Sequence, residues 1–346
     1  MIKKIIILIF ISSCGRPVTN SPDNRQDYPL KNTISEEILL EKNMFLNFDF
    51  LPLKGEVRDQ KKFWSGDSWP LNKGAINRRW NTPTKRGFGY ASPSEREIFT
   101  MPESLLKELS PSEKYDLFMG NYDYPMKSEV DRIARSGSLN WEGLCHGWAS
   151  ASIHHQEPAP GIFKNPDGID IYFGSSDIKA ILTWAYSKVI LPEGDILGRR
   201  CEDEEIGHDD ACDDDLSAVH FHVVLANKLG LRGESVIADI ERFKEVWNHP
   251  VTKYESVIEK MKTHSGDKEV TLVTKLTYVD VTEKNSWEKY PSQWGELTIR
   301  YQLTMDRHGN IFKGQWLSKE RPDFIWVVPK IEKFEGYLSG INFLIK

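Results

Sequence analysis

The sequence predicts an α+β protein with a helix-rich first half and a β-rich second half. Apolar residues recur at helical spacing in the first part, as in Ile178, Ile181, Leu182, Ala185 and Val189. Beyond about residue 265 the pattern changes to strict alternation, in 269–281 (EVTLVTKLTYVDV) and 297–305 (LTIRYQLTM). The composition can support a sizeable core: of 346 residues, 39% are hydrophobic, with 11 Trp, 12 Tyr and 16 Phe. A charged fraction of 28% excludes a multi-span membrane protein, and this apolar content excludes a disordered chain.

The chain opens MIKKIIILIFISSC. Lys3 and Lys4 precede a short apolar run, Ile5 to Ile11, too short to span a ~30 Å hydrocarbon layer, so the segment reads as an export signal. Ile11-Ser12-Ser13-Cys14 resembles a lipobox, with Ile11 where leucine is commoner. That resemblance implies residues 1–13 as a removed signal peptide and Cys14 as the lipidated first residue of an exported bacterial lipoprotein. Gly15 rather than Asp after the cysteine favours the outer membrane or cell surface. Residues 14–45 are polar, with Pro and Gly, and suit a tether. A core is expected over 46–265 and a β-rich part, 266–346, packed on it.

Ser110-Pro111-Ser112-Glu113 is a capping box with Pro at the first helical position, starting a helix to about Gly120. Ser175 or Ser176 is expected to cap a second helix. Residues 217–230 read as a third, stopped by Gly230, with Val219, His222, Ala226 and Leu229 on its inner face. Residues 234–240 read as a strand ending near Asp239. Asp306-Arg307-His308-Gly309-Asn310 turns one strand into the next.

Export implies an oxidising compartment, so each cysteine needs a destination. Cys201 and Cys212 bracket residues 202–215 and make a natural local disulfide. Cys145 remains. It follows turn residues and precedes Gly147, Ala149, Ser150 and Ala151, which places it in the first turn of a closely packed helix. There the helix dipole and unpaired N–H groups favour a thiolate, the arrangement of papain-like nucleophiles. A packed core cysteine is the alternative. A thiol nucleophile needs a base. His146 adjoins the cysteine and points away on a helix, His154 and His155 precede a Pro-rich turn, and His208 lies in the acidic segment. His222, on an apolar helix face, is the candidate base, with Asp239 as its orienting acid and Asn248 as the alternative orienter.

Several segments, in order, resemble the transglutaminase elicitor family, the cell-wall transglutaminases of oomycetes with bacterial homologues. They are Trp64-Ser65-Gly66-Asp67-Ser68-Trp69-Pro70 with Ile76-Asn77-Arg78-Arg79-Trp80, and Trp141-Glu142-Gly143-Leu144-Cys145-His146-Gly147-Trp148-Ala149. Further segments are Ile171 to Ala180, Phe221-His222-Val223 with Ala226-Asn227 and Leu229-Gly230, Val246-Trp247-Asn248, and Gly314 to Ser318 with Arg321 to Phe324. The resemblance implies a papain-like core with protein-glutamine γ-glutamyltransferase activity. It matches Cys145 to the nucleophile, His222 to the base and Asp239 to the acid. His249 stands where a different polar residue is expected, so no role is carried onto it. The implied partners are a glutamine-containing protein or peptide and a primary amine. A papain-like peptidase or amidase and a non-catalytic, lipid-anchored binding module are the alternatives.

The formal net charge is −6, and residues 202–215 (EDEEIGHDDACDDD) alone carry nine carboxylates, so the rest of the chain is net positive by three. With a pI near 5.9, a strongly basic nucleic-acid binder is excluded. Calcium at the acidic segment is the less favoured reading, because the EF-hand spacing is absent; a solvated excursion needs no ion, and no cofactor is expected. Trp64, Trp69 and Trp80 are expected in the core rather than on a glycan-binding face.

Overall fold

The computed structural model describes residues 44–80, 88–189, 196–200, 216–242 and 244–346. The expected signal peptide, the tether, Cys14, Cys201, Cys212 and the acidic segment 202–215 lie outside the described residues. No helix among the described residues is long and apolar enough to cross a membrane.

The first half begins with β1 (Lys54–Glu56), short 3-10 turns, and four short helices: α1 (Glu95–Thr100), α2 (Glu103–Lys107), α3 (Pro111–Phe118) and α4 (Pro125–Asp131). The expected capping box starts α3. Ser110 N–H donates to Glu113 Oε2 at 3.0 Å while Glu113 N–H donates back to Ser110 Oγ at 3.4 Å. Next come α5 (Cys145–His154), the hairpin β2 (Gly161–Lys164) and β3 (Asp170–Phe173), and α6 (Ser175–Tyr186). The cap of α6 is Gly174 rather than either serine, because Asp177 in the first turn accepts from Gly174 N–H at 2.8 Å.

The second half holds β4 (Ile196–Gly198), α7 (Ala218–Leu225), β5 (Val236–Asp239), β6 (Asn248–His264), β7 (Asp267–Asp280), β8 (Gln293–Met305), β9 (Ile311–Trp316), β10 (Phe324–Trp326) and α8 (Ile341–Leu344). Ser217 caps α7, accepting from His220 N–H at 3.2 Å. Gly230 does not stop this helix. It continues as a π-helical turn, Ala226–Arg232, with Gly230 against Pro52 and Tyr254, and Gly233 closes it at φ 66°.

The strands form one antiparallel sheet in the order β4-β10-β5-β6-β7-β8-β9, with β1 also paired to β6. The α+β organisation expected from the sequence is therefore the one found. The boundary expected at 265/266 falls on a two-residue turn, Ser265-Gly266, both with positive φ, between strands paired from Val251–Tyr278 to His264–Asp267. Trp64 and Trp69 are in the core and Trp80 packs against it, as expected of these aromatics.

Candidate active site

Cys145 is the first residue of α5 and is completely buried. Three features fix this helix start. Leu144 N–H donates to Ser68 O at 2.6 Å and Leu71 N–H to Glu142 O at 2.8 Å, tying the turn to the Ser68–Leu71 stretch. Gly143 is required there, since a Cβ would lie 2.4 Å from Ser68 O. One and two turns along, Trp148 Nε1 donates to Trp64 O at 3.2 Å and Ser152 Oγ to the same oxygen at 3.0 Å. Gly147 lets α5 meet α6, because a Cβ at that position would lie 2.2 Å from Thr183 O. No side chain caps α5, so its first-turn N–H groups have no capping side chain at the end of the helix that carries Cys145.

The Cys145 sulfur is disulfide-bonded. Two groups of the loop before β6 and of its first residue flank the sulfur. Val246 O is 3.7 Å from Sγ and Asn248 Nδ2 is 3.6 Å from it. Trp326 Nε1 donates to Asn248 Oδ1 at 2.8 Å. An indole can only donate, so the amide oxygen faces Trp326 and the amide N–H groups face the sulfur.

Asp239 pairs in register with Asn248 across β5 and β6 and is fully buried. Its Oδ1 accepts from Trp247 N–H at 2.8 Å. Burial, reinforced by the charge of nearby Asp323, holds its carboxyl well above the usual range. Asp239 thus braces the stretch beside the sulfur, in a form that resists ionisation.

The histidine and the acid expected from the sequence do not assemble with the cysteine as a triad. His222 Nδ1 is 2.8 Å from Tyr301 OH on β8. Thr274 Oγ1 on β7 donates to that hydroxyl at 3.0 Å and lies 2.7 Å from Ser256 Oγ on β6. Phe48 stacks on the imidazole at 5.6 Å. Ser256 is eight residues along β6 from Asn248, and at ~3.3 Å per residue about 26 Å of strand separates the two. His222 therefore belongs to an interior polar chain under α7, and neither Asp239 nor Asn248 orients it. Burial holds its imidazole down to about 4. Its Nε2 has no hydrogen-bond partner among the described residues.

Another histidine stands beside the cysteine's surroundings. His249 follows Asn248, and its ring lies edge-on to Trp148, one helical turn from Cys145, with centroids 5.7 Å apart. Continuing the register past Val251–Tyr278 sets His249 opposite Asp280, and Nδ1 lies 3.7 Å from Asp280 Oδ1. Nδ1 is also 2.8 Å from Val279 O, which can only accept, so Nδ1 carries the proton and Nε2 keeps its lone pair. Burial lowers the imidazole pKa against the raising effects of Val279 O and Asp280. No local motif in the sequence gives His249 an acidic partner; the β6–β7 register does.

Among the described residues no group of three or more His, Cys, Asp or Glu side chains is placed to hold a metal ion. Comparison with curated protein sequences gives no match. Among solved structures, the GP42 transglutaminase from Phytophthora sojae is similar, with a TM-score of 0.65 and 18% identity over 90% of this chain and 98% of that one. At that identity the likeness establishes the fold alone. The family model of the transglutaminase elicitor matches residues 35–282, well over half of the sequence. The chain belongs to the transglutaminase elicitor family.

Proposed function

We propose that this protein is a protein-glutamine γ-glutamyltransferase in which Cys145 is the nucleophile. The observation that carries the reading is Cys145 as the first residue of an uncapped helix, with an amide donor directed at its sulfur, in a chain of this family. Such a position favours thiolate over thiol and places N–H donors where an oxyanion forms.

The sulfur must first be released by a thiol reductant, each disulfide taking two electrons and two protons. The thiolate then attacks the γ-carboxamide carbon of a glutamine, and collapse of the tetrahedral adduct breaks the C–N bond. Ammonia leaves with a proton supplied by the base, and a γ-glutamyl thioester remains on Cys145. A primary amine attacks the thioester, giving an isopeptide and the free thiol; water in its place gives glutamate. His249 is the base this geometry favours: its tautomer leaves Nε2 free to take a proton, and Asp280 stabilises the imidazolium.

The sequence alone supports export and attachment through a lipidated Cys14, which would present the enzyme at a bacterial envelope surface.

Incubating the reduced protein with a glutamine-containing peptide and monodansylcadaverine, followed by mass spectrometry, tests the reaction. The expected product is a fluorescent amine adduct, with deamidated peptide when the amine is omitted. If neither forms while reduced Cys145 still alkylates with iodoacetamide, the transferase reading fails. Backbone cleavage instead of side-chain transfer would make the protein a peptidase.

A further inference from the structure

We propose that Asn248 is the side-chain half of the oxyanion site, and that Trp326 is a positioning residue that holds its amide in the donating orientation. The proposal rests on the transferase reading and adds to it the donor that meets the developing charge.

The amide is 2% exposed, so its N–H groups have little water to bond to and are held where the backbone puts them. Nδ2 lies 3.6 Å from the sulfur, and the oxygen of a sulfur-bound carbonyl carbon is only two bonds from that sulfur. Asn248 Nδ2 and the first-turn N–H groups of α5 then converge on the same oxygen from two elements. That oxygen carries more negative charge in the tetrahedral adduct than in the amide, so the donors act mainly on the transition state.

Two contacts hold Asn248 in this pose. Trp326, on β10, donates at 2.8 Å to Oδ1 and prevents the flip that would turn a lone pair toward the thiolate. Asp239, paired with Asn248 in register, accepts from Trp247 N–H and fixes the residue before it. A flipped amide would repel both the thiolate and the oxyanion. Trp326 therefore acts through Asn248, not on the substrate.

A double-mutant cycle on the reduced enzyme tests this, with kcat and KM measured for transfer to monodansylcadaverine. Asn248→Ala is expected to lower kcat by about 10²–10³-fold with KM changed by less than about 3-fold. Trp326→Phe, which keeps an aromatic ring and loses the N–H, is expected to lower kcat about 10-fold. The double variant should be no slower than Asn248→Ala alone, because Trp326 has nothing left to orient. Asn248→Asp provides a readout independent of turnover. Its carboxylate beside the sulfur should move the midpoint of iodoacetamide alkylation of Cys145 to higher pH, and a folded Asn248→Ala should move it in the same direction by less. An unchanged kcat in a folded Asn248→Ala, additive losses in the double variant, or an unmoved alkylation midpoint in Asn248→Asp would overturn the inference. A wild type that transfers no glutamine would instead defeat the functional reading, leaving the alkylation result to stand on its own.

Discussion

At the scale of single residues, the surroundings of two histidines differ in what chemistry they allow. His249 has a fixed proton on Nδ1, an acid at 3.7 Å and an aromatic neighbour on the cysteine's own helix. His222 has a hydroxyl chain and Phe48. His249→Gln is therefore expected to lower kcat by about 10²–10⁴-fold, the usual contribution of a positioned general base. His222→Gln should leave kcat of the folded protein within a few-fold and change its melting temperature instead. Steady-state transfer assays on the two variants, with thermal unfolding alongside, distinguish the roles; a catalytic collapse confined to His222→Gln would restore it as the base. The buried helix start at Cys145 was legible in the sequence, since turn residues before it and small residues after it are local signals of one. The base was not. Its pairing with Asp280 joins residues 31 positions apart through a strand register that no short window contains.

At the scale of elements, α5 is held from both ends of its first turn, and the glycine at 147 is a place where its backbone approaches α6 closely. A Cβ there would stand 2.2 Å from the Thr183 carbonyl, a backbone atom that cannot swing aside. Gly147→Ala should destabilise the protein by about 1–3 kcal/mol, as overpacking of a close helix contact does, with chemical denaturation as the measurement. A variant as stable as the wild type would mean that the two helices separate easily. The capping box of α3 and the alternating strands β7 and β8 follow from local sequence, and both were readable there. β6 was not. Its second half, from Val257 onward, is exposed and mixes Val257, Ile258 and Met261 with charged residues, so it shows neither a buried face nor a clean alternation. Pairing to β7 makes it a strand, and that is a tertiary cause. The π-helical turn after α7 has the same character: Gly230 reads as a stop, yet contact with Pro52 and Tyr254 keeps it within the helix.

At the scale of the whole molecule, buried imidazoles couple stability to acidity. Burial lowers His222 to about 4, below the ~6.5 of an exposed imidazole, so between those values the unfolded chain binds the proton and the folded chain does not. Its contribution is fully present above about pH 6.5 and is lost as pH falls toward 4, by up to about 3 kcal/mol. Asp116, raised to about 6 chiefly by burial, acts in the opposite sense, binding its proton first in the folded state. The comparison of variants isolates the histidine. Relative to wild type, His222→Gln should gain stability as pH is lowered from 7 to 5, read as a narrowing or reversing difference in melting temperature. A difference that stays constant across that range would show that His222 does not titrate between the two states. The covalent state of the sulfur sets a further condition on the molecule: activity and iodoacetamide labelling of Cys145 should both rise on treatment with a thiol reductant.

Transfer of glutamine through a thioester on Cys145 would leave a covalent intermediate. Acid quenching of the reduced enzyme within a single turnover on a glutamine-containing peptide, followed by digestion and mass spectrometry, observes that intermediate directly. The fragment carrying Cys145 is expected to gain the mass of the peptide less ammonia, added primary amine to remove this adduct, and Cys145→Ala to yield neither adduct nor product. Product formed by Cys145→Ala, or wild-type turnover with the acyl group on a different residue, would contradict that route.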